Sequence, residues 1–233
     1  MAASSNTDKC PYCGEPLELY VCEIGGHPYS TPIPCKCEAA RADRLARMCA
    51  EARAEDAEKA ARDRLERKLR RAGIPRRYWQ ATPVGGWRRG AYLVGGVGVG
   101  KTHRAAQMAL GAMGEGATVR FMAGGEFLRR LRDSFDGDGT EGGIIGSLST
   151  CDLLVLDDLG KEKPTEWAVS MLYQLVDARY NEDRPIVVTS QYERDQLLER
   201  FAMGDPDTAE AIVSRLFEMC PRTRIEGRDR RLG

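Results

Sequence analysis

The sequence has no long apolar run and no excess of charge of either sign. Its 233 residues include 35 basic and 35 acidic side chains, while histidine and tryptophan are scarce, with two and three residues. Balanced charge excludes a polycation that wraps nucleic acid over its whole surface, so a DNA contact would need a local basic patch. Because no apolar run reaches the length of a membrane span or forms a signal core near the first residue, we expect a cytoplasmic protein without a membrane contact.

Cysteine, in contrast, is frequent, with eight residues. In a cytoplasmic protein we expect metal ligands or buried thiols rather than disulfides. A C-x-x-C pair and a C-x-C pair flank a strand-like segment at 17–21, which predicts a small ribbon closed by a structural, tetrahedral zinc ion. The predicted zinc ligands are Cys10, Cys13, Cys35 and Cys37. Cys22 and His27 remain alternatives for the second pair, because C-x-C is tighter than the usual spacing.

A glycine-rich stretch follows a short apolar strand and precedes a helix, and it matches the phosphate-loop pattern G-x-x-x-x-G-K-[ST]. Such a loop presents backbone N–H groups and the positive end of a helix to phosphate oxygens. We expect Lys101 to reach the β and γ phosphates of ATP and Thr102 to ligate Mg²⁺. The predicted nucleotide-binding residues are Gly95, Gly96, Val97, Gly98, Val99, Gly100, Lys101, Thr102 and His103.

An apolar run at 151–156 ends in Asp157 and Asp158. The run predicts a buried parallel strand, whose carboxyl end is where α/β sheets place their ligands. Asp157 is expected to hold Mg²⁺ through water, and Asp158 to orient or deprotonate the attacking water. A further strand over 185–190 would direct Ser190 and Gln191 toward the γ-phosphate. The alternation of strands and helices predicts an α/β fold, a three-layer sandwich around a largely parallel sheet.

The remaining segments complete the predicted organisation. Oppositely charged residues at i,i+4 spacing predict one long, solvated helix that is either a spacer or a partner-binding element. We therefore divide the chain into a zinc-binding module at 1–37, a charged helix at 38–72 and a nucleotide domain at 73–233. Within the nucleotide domain, a helix over 126–135 carries three arginines off its apolar face, and these form either a DNA-contacting surface or a solvated face. The three arginines are Arg129, Arg130 and Arg132.

Taken together, the motifs resemble the DnaC/DnaI-type replicative helicase loaders, an AAA+ ATPase family related to the initiator DnaA and to IstB-type transposition helpers. The resemblance runs from about residue 72 to the end, and the amino-terminal cysteines followed by a helix are similar to the DnaI branch. It implies an AAA+ domain without a separate lid, with Gln191 at the sensor-1 position and Arg215 as an arginine finger. The catalytic residues so implied are Lys101, Asp157, Asp158, Gln191 and Arg215. Gln191 and Asp158 stand where Asn and Glu are usual, which implies slow hydrolysis.

The resemblance also implies partners. A loader would bind ATP or ADP with Mg²⁺ and Zn²⁺, grip a replicative hexameric helicase through its amino-terminal region, hold single-stranded DNA on the AAA+ domain and self-associate through the ATP interface. Arg230 or Arg231 would add a phosphate or DNA contact. The alternatives are an IstB-like transposition helper on duplex DNA, a P-loop kinase, and a zinc-dependent DNA-binding protein whose ATP is structural.

Overall fold

The structure, a computed structural model, describes residues 9–25, 27–135, 141–162 and 165–229. Arg230, Arg231 and most of the glycine-rich loop before residue 143 lie outside these ranges. The chain divides into two compact units, Met1–Leu65 and Glu66–Gly233, and the boundary falls within one long helix. Among the described residues, no helix is long and apolar enough to cross a membrane.

The first unit is a two-stranded ribbon followed by most of the long helix. Strands β1 (Leu19–Ile24) and β2 (His27–Pro32) pair in antiparallel fashion, and helix α1 spans Glu38–Ala72. Of the side chains described in this unit, only Cys10 and Ala40 are buried. So small a core contributes little to the stability of the ribbon, which is typical of small modules that bind a metal.

The second unit alternates strands and helices. Its strands are β3 (Ala91–Val94), β4 (Val119–Ala123), β5 (Leu153–Leu159), β6 (Ile186–Ser190) and β7 (Arg222–Arg224). Its helices are α2 (Lys101–Gly114), α3 (Gly124–Phe135), α4 (Glu141–Thr150), α5 (Glu166–Asn181), α6 (Arg194–Ala202) and α7 (Pro206–Met219), with 3-10 turns at Arg76–Tyr78 and Trp87–Arg89.

The five strands form one parallel sheet in the order β4-β5-β6-β3-β7. Side chains alternate between its two faces. Tyr92 and Val94 of β3 join a core with helices α3, α5, α6 and α7, whereas Ala91 and Leu93 join a core with α2 and the end of α1. The predicted α/β sandwich with a parallel sheet is thereby confirmed, and it places the carboxyl ends of β3, β5 and β6 at one edge.

A buried arginine fixes the loops at the opposite end of the sheet. Arg179 of α5 is fully buried and donates to the carbonyl oxygens of Leu148, Cys151 and Pro185 at 2.6, 2.9 and 2.7 Å. Burial lowers its pKa, but these carbonyls satisfy much of its hydrogen-bonding capacity. The Arg179 side chain therefore holds the segments that lead into β5 and β6 in place, which helps to position the carboxyl ends of both strands.

Candidate functional site

The phosphate loop joins β3 to α2 through a backbone that only glycine adopts readily. Gly95, Gly98 and Gly100 have φ angles of 157°, 74° and 103°. A Cβ on Gly95 would overlap the carbonyl oxygen of Ile225, so the loop and the residue that follows β7 approach closely. Lys101, the first residue of α2, donates from Nζ to the carbonyl oxygens of Gly95 and Gly96 at 2.9 and 2.6 Å.

The two acids lie at an irregular end of β5. Consecutive residues of a regular strand point to opposite faces, but the pairing of β5 with β6 shifts register between Leu156 and Leu159. Asp158 adopts a left-handed φ of 57°, which is uncommon for a residue other than glycine. The bulge re-aims the strand end, so that Asp157 contacts Thr189 of β6 while Asp158 lines a cavity together with Lys101 and Gln191.

Thr189 of β6 links these acids, and the sequence did not identify it. The fully buried hydroxyl donates to Asp157 Oδ1 at 2.6 Å and accepts from the amide of Asp158 at 2.8 Å. Burial raises the pKa of Asp157, while hydrogen bonds from Thr189 and Thr102 act in the opposite direction. A carboxylate of this kind is readily stabilised by a cation, as a magnesium ligand should be. The sequence signal that could have identified Thr189 is a hydroxyl-bearing residue inside an otherwise apolar strand.

A cavity of about 240 Å³ is lined by many of the predicted residues, although its lining does not include Gly95, Gly96, Val99 or Asp157. It is lined by Arg77, Tyr78, Val97, Gly98, Gly100, Lys101, Thr102, His103, Asp158, Lys161 and Gln191. The structure thus brings phosphate loop, second acid and Gln191 together. Three lining residues were not predicted. Lys161 Nζ lies 2.8 Å from Asp158 Oδ2, the Tyr78 ring meets the His103 ring edge-on at 5.8 Å, and Arg77 lies over Tyr78.

Ser190 does not reach this cavity, contrary to the sequence-based expectation. The side chain is fully buried, donates to the carbonyl oxygen of Leu159 at 2.8 Å and accepts from the amide of Tyr192 at 3.1 Å. The strand's alternation explains the difference, because β6 ends at Ser190 with this side chain turned into the core. Gln191, one residue beyond the strand, is the side chain that lines the cavity.

Arg215 lies apart from the cavity lining. On α7, its Nε is 3.0 Å from Asp177 Oδ1 of α5, and its guanidinium sits over the rings of Tyr173 and Tyr180 at 5.2 and 5.4 Å. The side chain is 26% exposed. Arg215 is therefore held on the surface formed by α5 and α7, with its direction set by a carboxylate and two rings.

Four sulfur atoms of the first unit form a compact cluster. Cys10, Cys13, Cys35 and Cys37 have Sγ atoms that all lie within 4.8 Å of one another. The Cys10–Cys37 and Cys13–Cys35 distances are 3.8 and 3.6 Å, close to the separation of about 3.8 Å expected when zinc binds four sulfurs at about 2.3 Å. Among the described residues, neither Cys22 nor His27 belongs to such a group, so the geometry favours the four-cysteine set.

Local hydrogen bonds give these thiols different pKa values. The amide groups of Cys13 and Tyr12 lower the pKa of Cys10 to about 7. For Cys13 the Glu15 amide acts in the same direction, but sharing of protons with Cys35 and Cys10 outweighs it and raises the pKa to about 12. Zinc would replace those shared protons with one cation, and therefore the residues fit the metal.

Comparison with known proteins places this geometry in a family. Residues 88–233 match the family described as IstB-like ATP binding protein. The chain belongs to this family. The phosphate loop, the two acids of β5 and Gln191 all lie in the matched region.

Similar proteins include the replicative helicase loader DnaI of Bacillus subtilis (strain 168), 27% identical over 149 residues that cover 61% of this chain and 48% of DnaI. The putative insertion sequence ATP-binding protein y4uH of Sinorhizobium fredii is 29% identical over 139 residues, which cover 60% of this chain and 54% of y4uH. The crystal structure of the DnaC helicase loader superposes with a TM-score of 0.56 at 23% identity, over 65% of this chain and all of that one, which shows a shared fold. The chain spans about half the length of the two curated relatives.

Proposed function

We propose that this protein is an ATP-dependent loader of a replicative hexameric helicase. The observation that carries the proposal is a nucleotide cavity that contains Lys101, Asp158 and Gln191 but not Arg215, which is oriented on a separate surface. A site of this kind is half complete in one chain and completed by a neighbour. The similarity to DnaI and the four-cysteine cluster favour a loader among the ATPases that share such a site.

The two parts of the chain divide the work in this proposal. The zinc-binding module at 1–37 and the charged helix at 38–72 engage the helicase, and the AAA+ domain at 73–233 binds ATP and single-stranded DNA. The ribbon offers exposed apolar side chains for a partner, since Tyr20, Val21 and Tyr29 are 59%, 65% and 55% exposed. Leu45 and Met48 of α1 are exposed as well, at 63% and 66%.

Within the AAA+ domain, each residue of the site has a defined task. Lys101 exchanges the carbonyls of Gly95 and Gly96 for phosphate oxygens. Thr102 and Asp157 would hold Mg²⁺, and the bound ion would supply positive charge beside the phosphates. Asp158 orients the attacking water and accepts its proton. Gln191 contributes an amide at the same edge of the sheet. Lys161 holds the Asp158 carboxylate in an ion pair, which fits slow, partner-regulated hydrolysis to ADP and phosphate.

Arg215 acts on a second subunit. In a self-associated assembly, the α5–α7 surface of one chain faces the ATP of the next, and the guanidinium stabilises charge on the transferring phosphoryl group. Asp177 and the two tyrosine rings hold the side chain ready for that contact. Hydrolysis then loosens the assembly and acts as the release signal.

Co-purification with the helicase tests the proposal. The 233-residue chain is mixed with the replicative helicase of the organism that encodes it, with ATP or without nucleotide, and is compared with a chain that lacks the residues before Arg41. We expect ATP-dependent capture by the full chain and none by the truncated chain. Equal capture by both would reject the assignment of helicase binding to the amino-terminal region.

A transposition helper is the second candidate, favoured by the match to y4uH and by the family itself. It would bind duplex DNA in preference to a single strand. Binding of matched single-stranded and duplex oligonucleotides in the presence of ATP separates the two, since a loader prefers the single strand.

A further inference from the structure

Helix α3 contacts the loop after β5 through its first turn rather than through its arginines. Arg129 Nη1 lies 2.6 Å from Asp133 Oδ2, and Arg130 Nη2 lies 2.6 Å from Glu126 Oε1, so two of the arginines that the sequence singled out pair with acids of their own helix. The first turn, in contrast, meets the carboxylate of Glu162. The segment that follows the two acids of β5 is therefore in direct contact with α3.

A glycine at the start of α3 leaves room for that carboxylate. A Cβ on Gly124 would lie 2.8 Å from Glu162 Oε1 and 3.2 Å from Oε2, whereas a Cβ on Gly125 would lie 3.4 Å from Oε1, an ordinary contact distance. Burial raises the pKa of Glu162, while hydrogen bonds from the backbone amides of Glu162, Gly160 and Gly125 act in the opposite direction. Backbone donors and the missing side chain of Gly124 together define where the carboxylate lies.

Helix α6 holds the backbone of the same loop. Arg200 donates from Nε to the carbonyl oxygen of Gly160 and from Nη2 to that of Glu162 at 3.3 Å, and its guanidinium carbon lies 4.8 Å from the centre of the Tyr192 ring. Glu162 also closes the loop from within, because its Oε2 accepts from the amide of Gly160 at 3.2 Å. The backbone is thus held on both sides of Lys161.

Lys161 connects this loop to the proposed base, Asp158. Lys161 Nζ lies 2.8 Å from Asp158 Oδ2, and the two side chains are 46% and 36% exposed. An ion pair this exposed shifts an equilibrium by no more than about five-fold, since ordering two side chains offsets much of the attraction. Holding the backbone beside Lys161 reduces the entropy that is lost when the pair forms. The pair occupies an oxygen of Asp158 that the attacking water would otherwise use.

We propose that Glu162 is a positioning residue that acts through Lys161. By tying the loop after β5 to the first turn of α3, Glu162 keeps Lys161 on the carboxylate of Asp158 and slows ATP hydrolysis. The proposal rests on the proposed function and deepens it by naming the contact that regulates the rate. A partner that shifts the first turn of α3 would release Glu162, weaken the ion pair and speed up hydrolysis.

Steady-state ATP hydrolysis by the 233-residue chain tests the proposal. Gly124→Ala is the main variant, because its Cβ would displace the Glu162 carboxylate without altering Glu162, and Gly125→Ala is the matched control. Glu162→Gln turns one acceptor oxygen into a donor, and Lys161→Met removes the cation. We expect kcat to rise about two- to five-fold in Gly124→Ala, Glu162→Gln and Lys161→Met, the effect of losing an exposed ion pair. Gly125→Ala should keep the wild-type kcat, and KM for ATP should be unchanged in Gly124→Ala and Glu162→Gln.

Combining two variants separates positioning from a merely structural role. If Glu162 acts through Lys161, adding Glu162→Gln to Lys161→Met should change kcat no further. A general loosening of α3 would instead act independently of Lys161, and the two effects would multiply. Melting temperature and ATP affinity report whether each variant is folded. Should Glu162→Gln fail to fold, Gly124→Ala decides the question, because alanine has the higher helix propensity.

The outcomes separate this inference from the proposed function. A wild-type kcat in folded Gly124→Ala and Glu162→Gln would overturn the positioning role and leave the loader proposal standing. A lower kcat in these variants, or multiplied effects in the double variant, would also overturn it. Absence of ATP hydrolysis in the wild type and in Lys161→Met alike would overturn the ATPase activity of the proposed function together with this inference.

Discussion

At the scale of single residues, Thr189 organises the candidate site. Its hydroxyl is shared between the side chain of Asp157 and the backbone of Asp158. Because it sits in the core of the sheet with no exposed surface, it has no room to exchange these partners for water. The position of both acids therefore depends on a residue that touches neither nucleotide nor metal in the proposed mechanism.

Replacing Thr189 by Val tests that dependence. The change keeps the shape of the side chain but removes one of the two donors to Asp157 and the acceptor of the Asp158 amide, and an unsatisfied buried partner costs about 1 to 3 kcal/mol. We expect ATP turnover to fall by about ten-fold or more and the Mg²⁺ requirement to rise, measured as steady-state hydrolysis over a magnesium titration. Thr189→Ser, which keeps the hydroxyl, should restore most activity. Wild-type turnover by the Val variant would exclude the positioning role.

At the scale of elements, most of the second unit was predictable and its exceptions have physical causes. β3, β5 and β6 are apolar runs buried on both faces, and this composition predicts central parallel strands. β7 is an exposed edge strand of sequence Arg-Thr-Arg, without the apolar alternation by which strands are recognised. It forms because its backbone hydrogen-bonds to β3 and because Arg222 forms an ion pair with Glu193 at 2.8 Å. No local pattern encodes either contact.

The candidate site also combines residues that the sequence predicts with residues that it does not. Lys101, Thr102, Asp157 and Asp158 follow from motifs whose spacing is fixed by phosphate and metal chemistry. Lys161 lies three residues beyond Asp158, but its residue type is ordinary and no motif marks it. Tyr78 and Thr189 reach the site only because the topology brings their segments together. Contacts between segments distant in the chain were therefore beyond sequence reasoning.

Helix α7, which carries Arg215, begins with a titratable cap. The Asp205 side chain accepts from the amide of Thr208 at 3.2 Å, and the Thr208 hydroxyl and amide lower its pKa below the ordinary 3.8. A depressed folded-state pKa stabilises the protein above 3.8 and loses that effect as pH falls through the folded value. Asp205→Ala should lower the melting temperature by about 2 to 4 °C at neutral pH. Differential scanning calorimetry should show the difference shrinking in acid, and a constant difference would contradict the cap.

The predicted zinc site can be tested in the first unit. Cys13→Ser removes one of four thiolates, and a ribbon with so small a core should then lose its metal and its fold. Elemental analysis should show about one zinc per wild-type chain and little in the variant, whereas Cys49→Ser, on the exposed face of α1, should retain it. ATP affinity should be the same in all three proteins. Equal zinc in the Cys13 variant would refute the four-cysteine site.

At the scale of the whole molecule, the site is expected to form between chains, and mixing experiments address this directly. Arg215→Ala should reduce hydrolysis by about 1000-fold while leaving ATP affinity intact. Lys101→Ala should be inactive because it lacks the phosphate contact. Mixing the two variants should restore part of the activity, since the Lys101 variant still lends its Arg215 to a neighbour. Asp177→Asn breaks the ion pair that orients Arg215 but keeps the guanidinium, and it should therefore reduce hydrolysis less than Arg215→Ala does.

Absence of restored activity in the mixture, with self-association intact, would contradict a shared site. Normal hydrolysis by Arg215→Ala would contradict the finger itself. Light scattering of the same samples reports whether assemblies form, and it therefore separates a loss of activity from a loss of self-association.

The central claim is that ATP binding by this chain places a helicase on single-stranded DNA. The most direct measurement is transfer of the hexameric helicase onto a closed circular single strand, separated from free helicase by gel filtration. We predict that wild-type protein with ATP loads the circle and that Lys101→Ala does not. Helicase that reaches the circle equally well with the Lys101 variant, or without the protein, would contradict the account.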